Sequence, residues 1–207
     1  MLKSKVLVLL LSLFFIPITL AKEPYVEKPL LDKITAKYKV FAKKRFFYLQ
    51  KSLTLASEKS DLEKLEIVNN FFNDVRYSTD LKNYNKKDYW ATPWEFLGKD
   101  KGDCEDYVIS KYFALKYLKV EPKKLFFTYV RSTKFKAPHM VLTYFETPKS
   151  EPLILDNYNR KIFPASKRKD LTPIYHFNGD ILNEIGKAKK SHKKWDQLKL
   201  NMKRKKI

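Results

Sequence analysis

Cysteine is almost absent: the 207 residues hold one, Cys104. No internal disulfide is therefore possible, and packing alone must hold the fold. Acids are scarce beside bases, 23 Asp and Glu against 43 Lys and Arg, for a formal charge of +20. That imbalance favours anionic partners such as acidic protein segments, anionic lipid or nucleic acid. Nucleic acid is disfavoured in turn, because no aromatic-basic motif of a known reader occurs and the N-terminus reads as an export signal. Internal repeats and low-complexity linkers are also missing, and the ten prolines are scattered. One domain of ordinary size with its own hydrophobic core is expected.

What is present at the N-terminus is a targeting pattern. Lys3 and Lys5 precede an apolar run from Val6 to Ile16, and Thr19-Leu20-Ala21 supplies small residues where a signal peptidase reads. The run is too short to span a bilayer comfortably, so cleavage before Lys22 is expected. Export leaves about 186 residues carrying +18. The expected organisation is a signal peptide over residues 1–21, a domain over 22–186 and a basic C-terminal tail over 187–207. The tail holds ten Lys or Arg residues and a single acid, Asp196. Its apolar residues Ile185, Ala188, Trp195, Leu198 and Met202 fit roughly one helical face. Two readings stay open for it: a basic amphipathic helix resting on a membrane or partner, or a solvated lysine-rich end.

Along the domain, periodicity predicts helices first. One runs from about Leu31 to Leu55, with Ile34, Tyr38, Phe41, Arg45 and Tyr48 on one face. Ser60 with Glu63 reads as a capping box opening a second, with Leu62, Leu65, Val68, Asn69 and Phe72 inward. Thr92-Pro93-Trp94-Glu95 starts a short third that ends at Gly98. A strongly amphipathic helix from Cys104 to about Leu118 follows, with Tyr107, Val108, Tyr112, Leu115 and Leu118 on its buried stripe. After Pro122 the period changes. Strands are predicted at Leu125 to Val130, His139 to Phe145, Leu153 to Asp156 and Lys161 to Phe163. This order argues for an α+β domain with an antiparallel sheet packed on the cysteine helix.

Cys104 lies in Gly102-Asp103-Cys104-Glu105-Asp106, at a helix N-terminus. The helix dipole and free N–H groups there stabilise a thiolate, so a lowered thiol pKa and a nucleophile are expected. The bland alternative is a small buried hydrophobe. A thiolate enzyme needs a base and a group to orient it. His139 begins a strand, and folding the hairpin about residues 147–149 returns Asp156 to it within a residue or two of register. Asp156 is then expected to accept the Nδ1–H while the other ring nitrogen faces the thiol. His176 lies in an expected aromatic loop, and His192 in the solvated tail. The Cys104 backbone N–H is one natural oxyanion donor; the Trp90 indole is a second candidate, though Trp90 and Trp94 suit the core equally.

Asp88-Tyr89-Trp90-Ala91-Thr92-Pro93, Glu95-Phe96-Leu97, Gly102-Asp103-Cys104-Glu105-Asp106, His139-Met140-Val141-Leu142 and Leu155-Asp156-Asn157 resemble the bacterial transglutaminase-like cysteine proteinases, the LapG-type periplasmic proteases. The resemblance covers roughly residues 30–180 and implies a papain-like, transglutaminase-like fold with Cys104 as nucleophile, His139 as base and Asp156 as orienting carboxylate. It implies calcium beside the cysteine, held by Asp103 and Glu105, with Asp106 a weaker candidate. Clustered carboxylates suit such a cation, and without one they would raise the thiol pKa. Simple capping of the helix N-terminus is the alternative role for these acids. The resemblance further implies an RTX-type adhesin N-terminal region as substrate, cut at a di-alanine-type site to release it from a biofilm. The implied inhibitory partner is an inner-membrane cyclic-di-GMP receptor of the LapD type. Two rivals remain: a periplasmic transglutaminase or amidase with the same triad, and a non-enzymatic basic adaptor.

Overall fold

The computed structural model describes residues 23–180 and 189–207; the expected export signal lies outside them. In chain order come α1 (Lys28–Ala56), α2 (Asp61–Phe72), β1 (Arg76–Tyr77), α3 (Asp80–Tyr84), α4 (Pro93–Lys99), β2 (Lys101–Gly102) and α5 (Cys104–Tyr117). Then follow β3 (Leu125–Ser132), β4 (Ala137–Tyr144), β5 (Leu153–Leu155), β6 (Phe163–Pro164), β7 (Leu171–Phe177) and α6 (Lys189–Lys203). Five strands form one antiparallel sheet in the order β6-β5-β4-β3-β7. The fold is α+β, as the helix-then-strand order predicts.

Local signals set most of the helix starts. Ser60 and Glu63 form a capping box on α2, and Thr92 and Glu95 form another on α4. The inward face expected for α1 is half wrong. Phe41 is 69% exposed and Tyr48 57%, while Ala42, Phe46, Leu49 and Leu53 are buried. The cause is Lys39, whose φ of 70° breaks the helix and shifts the phase by one residue beyond it. Arg45 still turns inward, donating from Nε to Leu97 O at 2.8 Å and from Nη2 to Gly98 O at 2.7 Å, which caps the C-terminus of α4. Leu62, expected inside α2, is 52% exposed.

The cysteine helix is central rather than amphipathic. It is buried without interruption from Asp106 to Tyr112 and touches α2, α4 and β4. Even Lys111 is enclosed; its Nζ donates to Asn69 Oδ1 at 2.8 Å, and burial pulls its pKa down to about 7.

Two parts of the C-terminal third depart from expectation. The loop expected around His176 is strand β7, an edge strand whose Pro173 sits beside a register shift against Tyr129 and Val130. Proline is tolerated at such an edge, so it misleads as a strand breaker. The basic tail, expected outside the domain, is a helix seated on it. Trp195 is buried against Tyr112, Phe113 and Phe127, and its Nε1 donates to Gly179 O at 2.6 Å. Leu198 is buried beside it, and Thr92 Oγ1 donates to Lys206 O at 3.0 Å, tying the chain end to α4. The apolar face of α6 is thus occupied by the protein's own core. Trp195→Ala is expected to destabilise the fold by about 3–5 kcal/mol, read as a lowered thermal midpoint. An unchanged midpoint would place α6 outside the cooperative unit.

Candidate active site

The two-residue strands β1 and β2 pair in parallel, Tyr77 with Gly102, and this pairing delivers the chain to Cys104. Only glycine fits at 102: a Cβ there would lie 2.5 Å from Asp106 Oδ2 and from the Phe96 ring. Cys104 is half-buried at the first turn of α5. Its Sγ donates to Glu105 Oε2 at 3.1 Å, and the backbone N–H of Met140 is near enough to favour its anion. Met140 follows His139 on β4, so the sulfur and the imidazole-bearing strand meet at one corner.

His139 and Asp156 are joined as the hairpin pattern predicts. The β4–β5 register pairs Leu142 with Leu155. Continued outward, it sets His139 opposite Tyr158, with Asp156 two residues back on the same face. The Tyr158 ring duly stacks on the imidazole, 4.3 Å between centroids and 17° between planes. The bond to Asp156 corrects one expectation. It is His139 Nε2, not Nδ1, that meets Asp156 Oδ1, at 2.8 Å. A diagonal partner is reached by the ring's far nitrogen. Nδ1 is buried with no partner among the described residues.

Asp156 is itself held from several sides. Tyr158 N donates to Oδ1 at 2.9 Å, and Asn73 Nδ2 donates to its main-chain oxygen at 2.8 Å. Arg168 Nη2 donates to Oδ2 at 2.6 Å. Burial alone would raise this carboxyl, but His139, the Tyr158 N–H and Arg168 outweigh it and hold the pKa at about 2. Asp156 is therefore an anion, which places the ring proton on Nε2 and leaves Nδ1 its lone pair. Arg168 is bracketed in turn by Asp170, through Nε at 2.9 Å and Nη2 at 2.8 Å. Sequence alone hides its role, because Lys167-Arg168-Lys169 looks like a solvated basic run. The role of Tyr158 is hidden too, although it lies just past the Leu155-Asp156-Asn157 string.

The residues flanking the cysteine belong to a carboxylate cluster. Ligand-capable oxygens of Asp80, Asp103 and Asp106 fall within 4.8 Å of one another, as do those of Asp80, Asp88 and Glu105. Asp103 and Glu105 were the expected ligands and Asp106 the weaker one; Asp80 and Asp88 are additions. Asp88 stands in a string that carries the resemblance, whereas Asp80 starts a five-residue helix with no motif around it. Capping does not explain these acids. Asp103 occupies the N-cap of α5 without a side-chain cap bond, and Asp80 Oδ1, Asp103 Oδ1 and Asp106 Oδ2 are buried with no partner among the described residues. The remaining oxygens hang the preceding loop: Asp106 Oδ1 accepts from Ala91 N at 2.9 Å, and Asp80 Oδ2 accepts from Tyr89 N.

Unsatisfied carboxylates packed together fit a hard, oxygen-seeking cation. Burial and mutual repulsion push Asp80 up to about 6 and Asp103 up to about 10. The same causes act on the thiol. Burial first, then the Glu105 and Asp103 charges, raise Cys104 well above its ordinary value, reversing the lowering expected from the helix dipole alone. Of the other candidates, Trp90 is a core residue stacked on Phe177, 6.3 Å between centroids and 12° between planes. His176 packs at 5.1 Å from Phe126 on β7, and His192 falls within α6.

Comparison with known proteins agrees with this geometry. The family model of bacterial transglutaminase-like cysteine proteinases matches residues 43–174. The solved structure of Legionella pneumophila LapG superposes with a TM-score of 0.72 at 39% identity, covering 89% of this chain and 100% of that one. Its EGTA-treated form gives 0.72 at 38% identity, with the same coverage of 89% and 100%. Its calcium-bound form gives 0.72 at 37% identity, covering 86% and 99%. No curated protein matches the chain. With a helix-borne cysteine, a strand-borne histidine and a matching fold, the chain belongs to the bacterial transglutaminase-like cysteine proteinases and is a cysteine protease.

Proposed function

We propose that the protein is a calcium-dependent endopeptidase of the periplasm, cutting the N-terminal region of a large RTX-type surface adhesin at a di-alanine-type site. Cleavage frees the adhesin and promotes biofilm dispersal, and an inner-membrane cyclic-di-GMP receptor of the LapD type holds the enzyme inactive. The observation that carries the catalytic part is Cys104 Sγ near the backbone N–H of Met140, next in chain to His139, which is paired with Asp156 and whose Nδ1 has no partner among the described residues. Nδ1 takes the thiol proton as Sγ bonds to the scissile carbonyl carbon, and the carbonyl electrons move onto oxygen. When the C–N bond breaks, the imidazolium returns that proton to the leaving amine. Water then attacks the thioester and gives a proton to the same nitrogen; the C–S bond breaks, the imidazolium returns that proton to Sγ, and the free acid leaves. Asp156 stays ionised throughout and steadies the imidazolium.

Calcium in the acid cluster would neutralise the charge that raises the thiol pKa and order the loop before α5. Glu105, engaged as a ligand, would no longer accept the thiol proton, which leaves His139 as the acceptor. The LapG relative solved with calcium bound supports this reading. The formal charge of +20 supports an acidic substrate region by electrostatic steering. Trp195 and Leu198 of α6 lie against the core, so any membrane contact of the tail would use its Lys and Arg residues rather than these apolar side chains.

The test is cleavage of such an adhesin's purified N-terminal region. Excess EGTA is expected to stop cleavage and added calcium to restore it. Asp80→Asn and Asp103→Asn should each raise the half-maximal calcium concentration at least about tenfold. Full activity in excess EGTA contradicts metal control.

A further inference from the structure

The histidine side of the site opens beside a second feature. A cavity of about 240 Å³ is lined by Lys134, Phe135, Tyr158, Phe163, Lys167 and Arg168, among others. Its surroundings are cationic. The segment from Arg131 to Lys136 holds three bases and no acid, and that from Arg160 to Lys169 holds five bases and no acid. Asp170, the one carboxylate of the lining, is committed to Arg168. Arg168 is 5% exposed, and its Nη1 is buried with no partner among the described residues. A guanidinium N–H without an acceptor is costly to bury and calls for one.

The walls connect the cavity to catalysis. Phe135 packs on Tyr158 at 4.4 Å between centroids, and Tyr158 stacks on His139. Arg168 holds Asp156 at 2.6 Å. Acids gather around Asp103 and Glu105, whereas bases gather around Arg168 beside Asp156. A peptide laid over Cys104 is therefore read by charge, and the basic side offers an apolar wall for a short methylene stem and charged donors for its tip.

We infer that this cavity is a substrate subsite for a carboxylate side chain, an aspartate or glutamate close to the scissile bond, received by Arg168, Lys134 and Lys167. The inference deepens the protease reading above and rests on it. Carboxylate recognition by a partly committed arginine favours a fixed position in the substrate over general acidity, because the cavity admits one side chain.

Di-alanine peptides carrying Asp or Glu at each flanking position in turn, compared with their Asn or Gln isosteres, test it on the wild-type protein with calcium. At one position the amide isostere is expected to raise KM about tenfold with a smaller change in kcat, the signature of a charge-assisted contact made before the transition state. The double variant Lys134→Glu/Lys167→Glu, altered only at exposed side chains, should reverse the preference at that position toward lysine. Equal kcat/KM for acid and amide at every position overturns the subsite while leaving the protease reading intact. Failure to cut any peptide overturns the protease reading and the subsite with it.

Discussion

Cys104→Ala is expected to lower kcat/KM for peptide cleavage by about four orders of magnitude or more, because no other group forms the acyl-enzyme. Stability should change by about 1 kcal/mol or less. Loss of the one sulfur atom removes little volume, and its neighbours Glu105 and Asp103 repel its anion rather than gain from it. A comparable thermal midpoint with no turnover separates lost chemistry from lost folding. Retained cleavage would remove the nucleophile from the mechanism.

A second large effect is expected at Arg168, which touches no reacting atom and acts through Asp156. Arg168→Met keeps much of the volume but leaves Asp156 Oδ2 buried and unpaired, at a cost of about 3–5 kcal/mol. With Asp156 less firmly held, the imidazole loses its fixed orientation, and kcat should fall about 100-fold with a smaller change in KM. Stability against pH gives a second readout. The Asp156 carboxyl lies at about 2 in the folded protein, below the ordinary value near 4. Its contribution is therefore complete above about pH 4 and fades as pH falls toward about 2. Without Arg168 the folded-state value rises, so the variant should lose that contribution at higher pH than wild type. Arg168→Lys keeps one charge and should recover part of both effects. A purely structural role would lower the midpoint while leaving kcat unchanged at a temperature where the variant is folded.

What the sequence made legible is short-range. The capping boxes at Ser60 and Thr92 are fixed by residues three apart, and the His139–Asp156 pair by a single hairpin. The cysteine with its flanking acids is a five-residue string. What stayed hidden depends on backbone detail or on long-range closure. A positive φ at Lys39 turned the outer half of α1 by one residue, which no hydrophobic period reveals. Asp80 joins Asp103 and Asp106 because β1 pairs with β2 and the Tyr89 and Ala91 amides hang on the acids. Arg168 and α6 were masked by composition: lysine-rich runs read as solvent-facing, yet one supplies a buried guanidinium and the other the buried Trp195. The ring nitrogen facing Asp156 was decided by a diagonal offset of two residues, finer than a pattern of strands and turns specifies.

A single cysteine makes the decisive measurement simple. Iodoacetamide added in stages to the calcium-loaded protein can modify only one thiol, and intact mass gives the fraction modified at each stage. Peptide cleavage is predicted to fall in direct proportion to carboxamidomethylation of Cys104, reaching zero at one adduct per chain, with substrate slowing both together. A fully modified protein that still cuts its peptide would contradict the assignment of Cys104 as nucleophile.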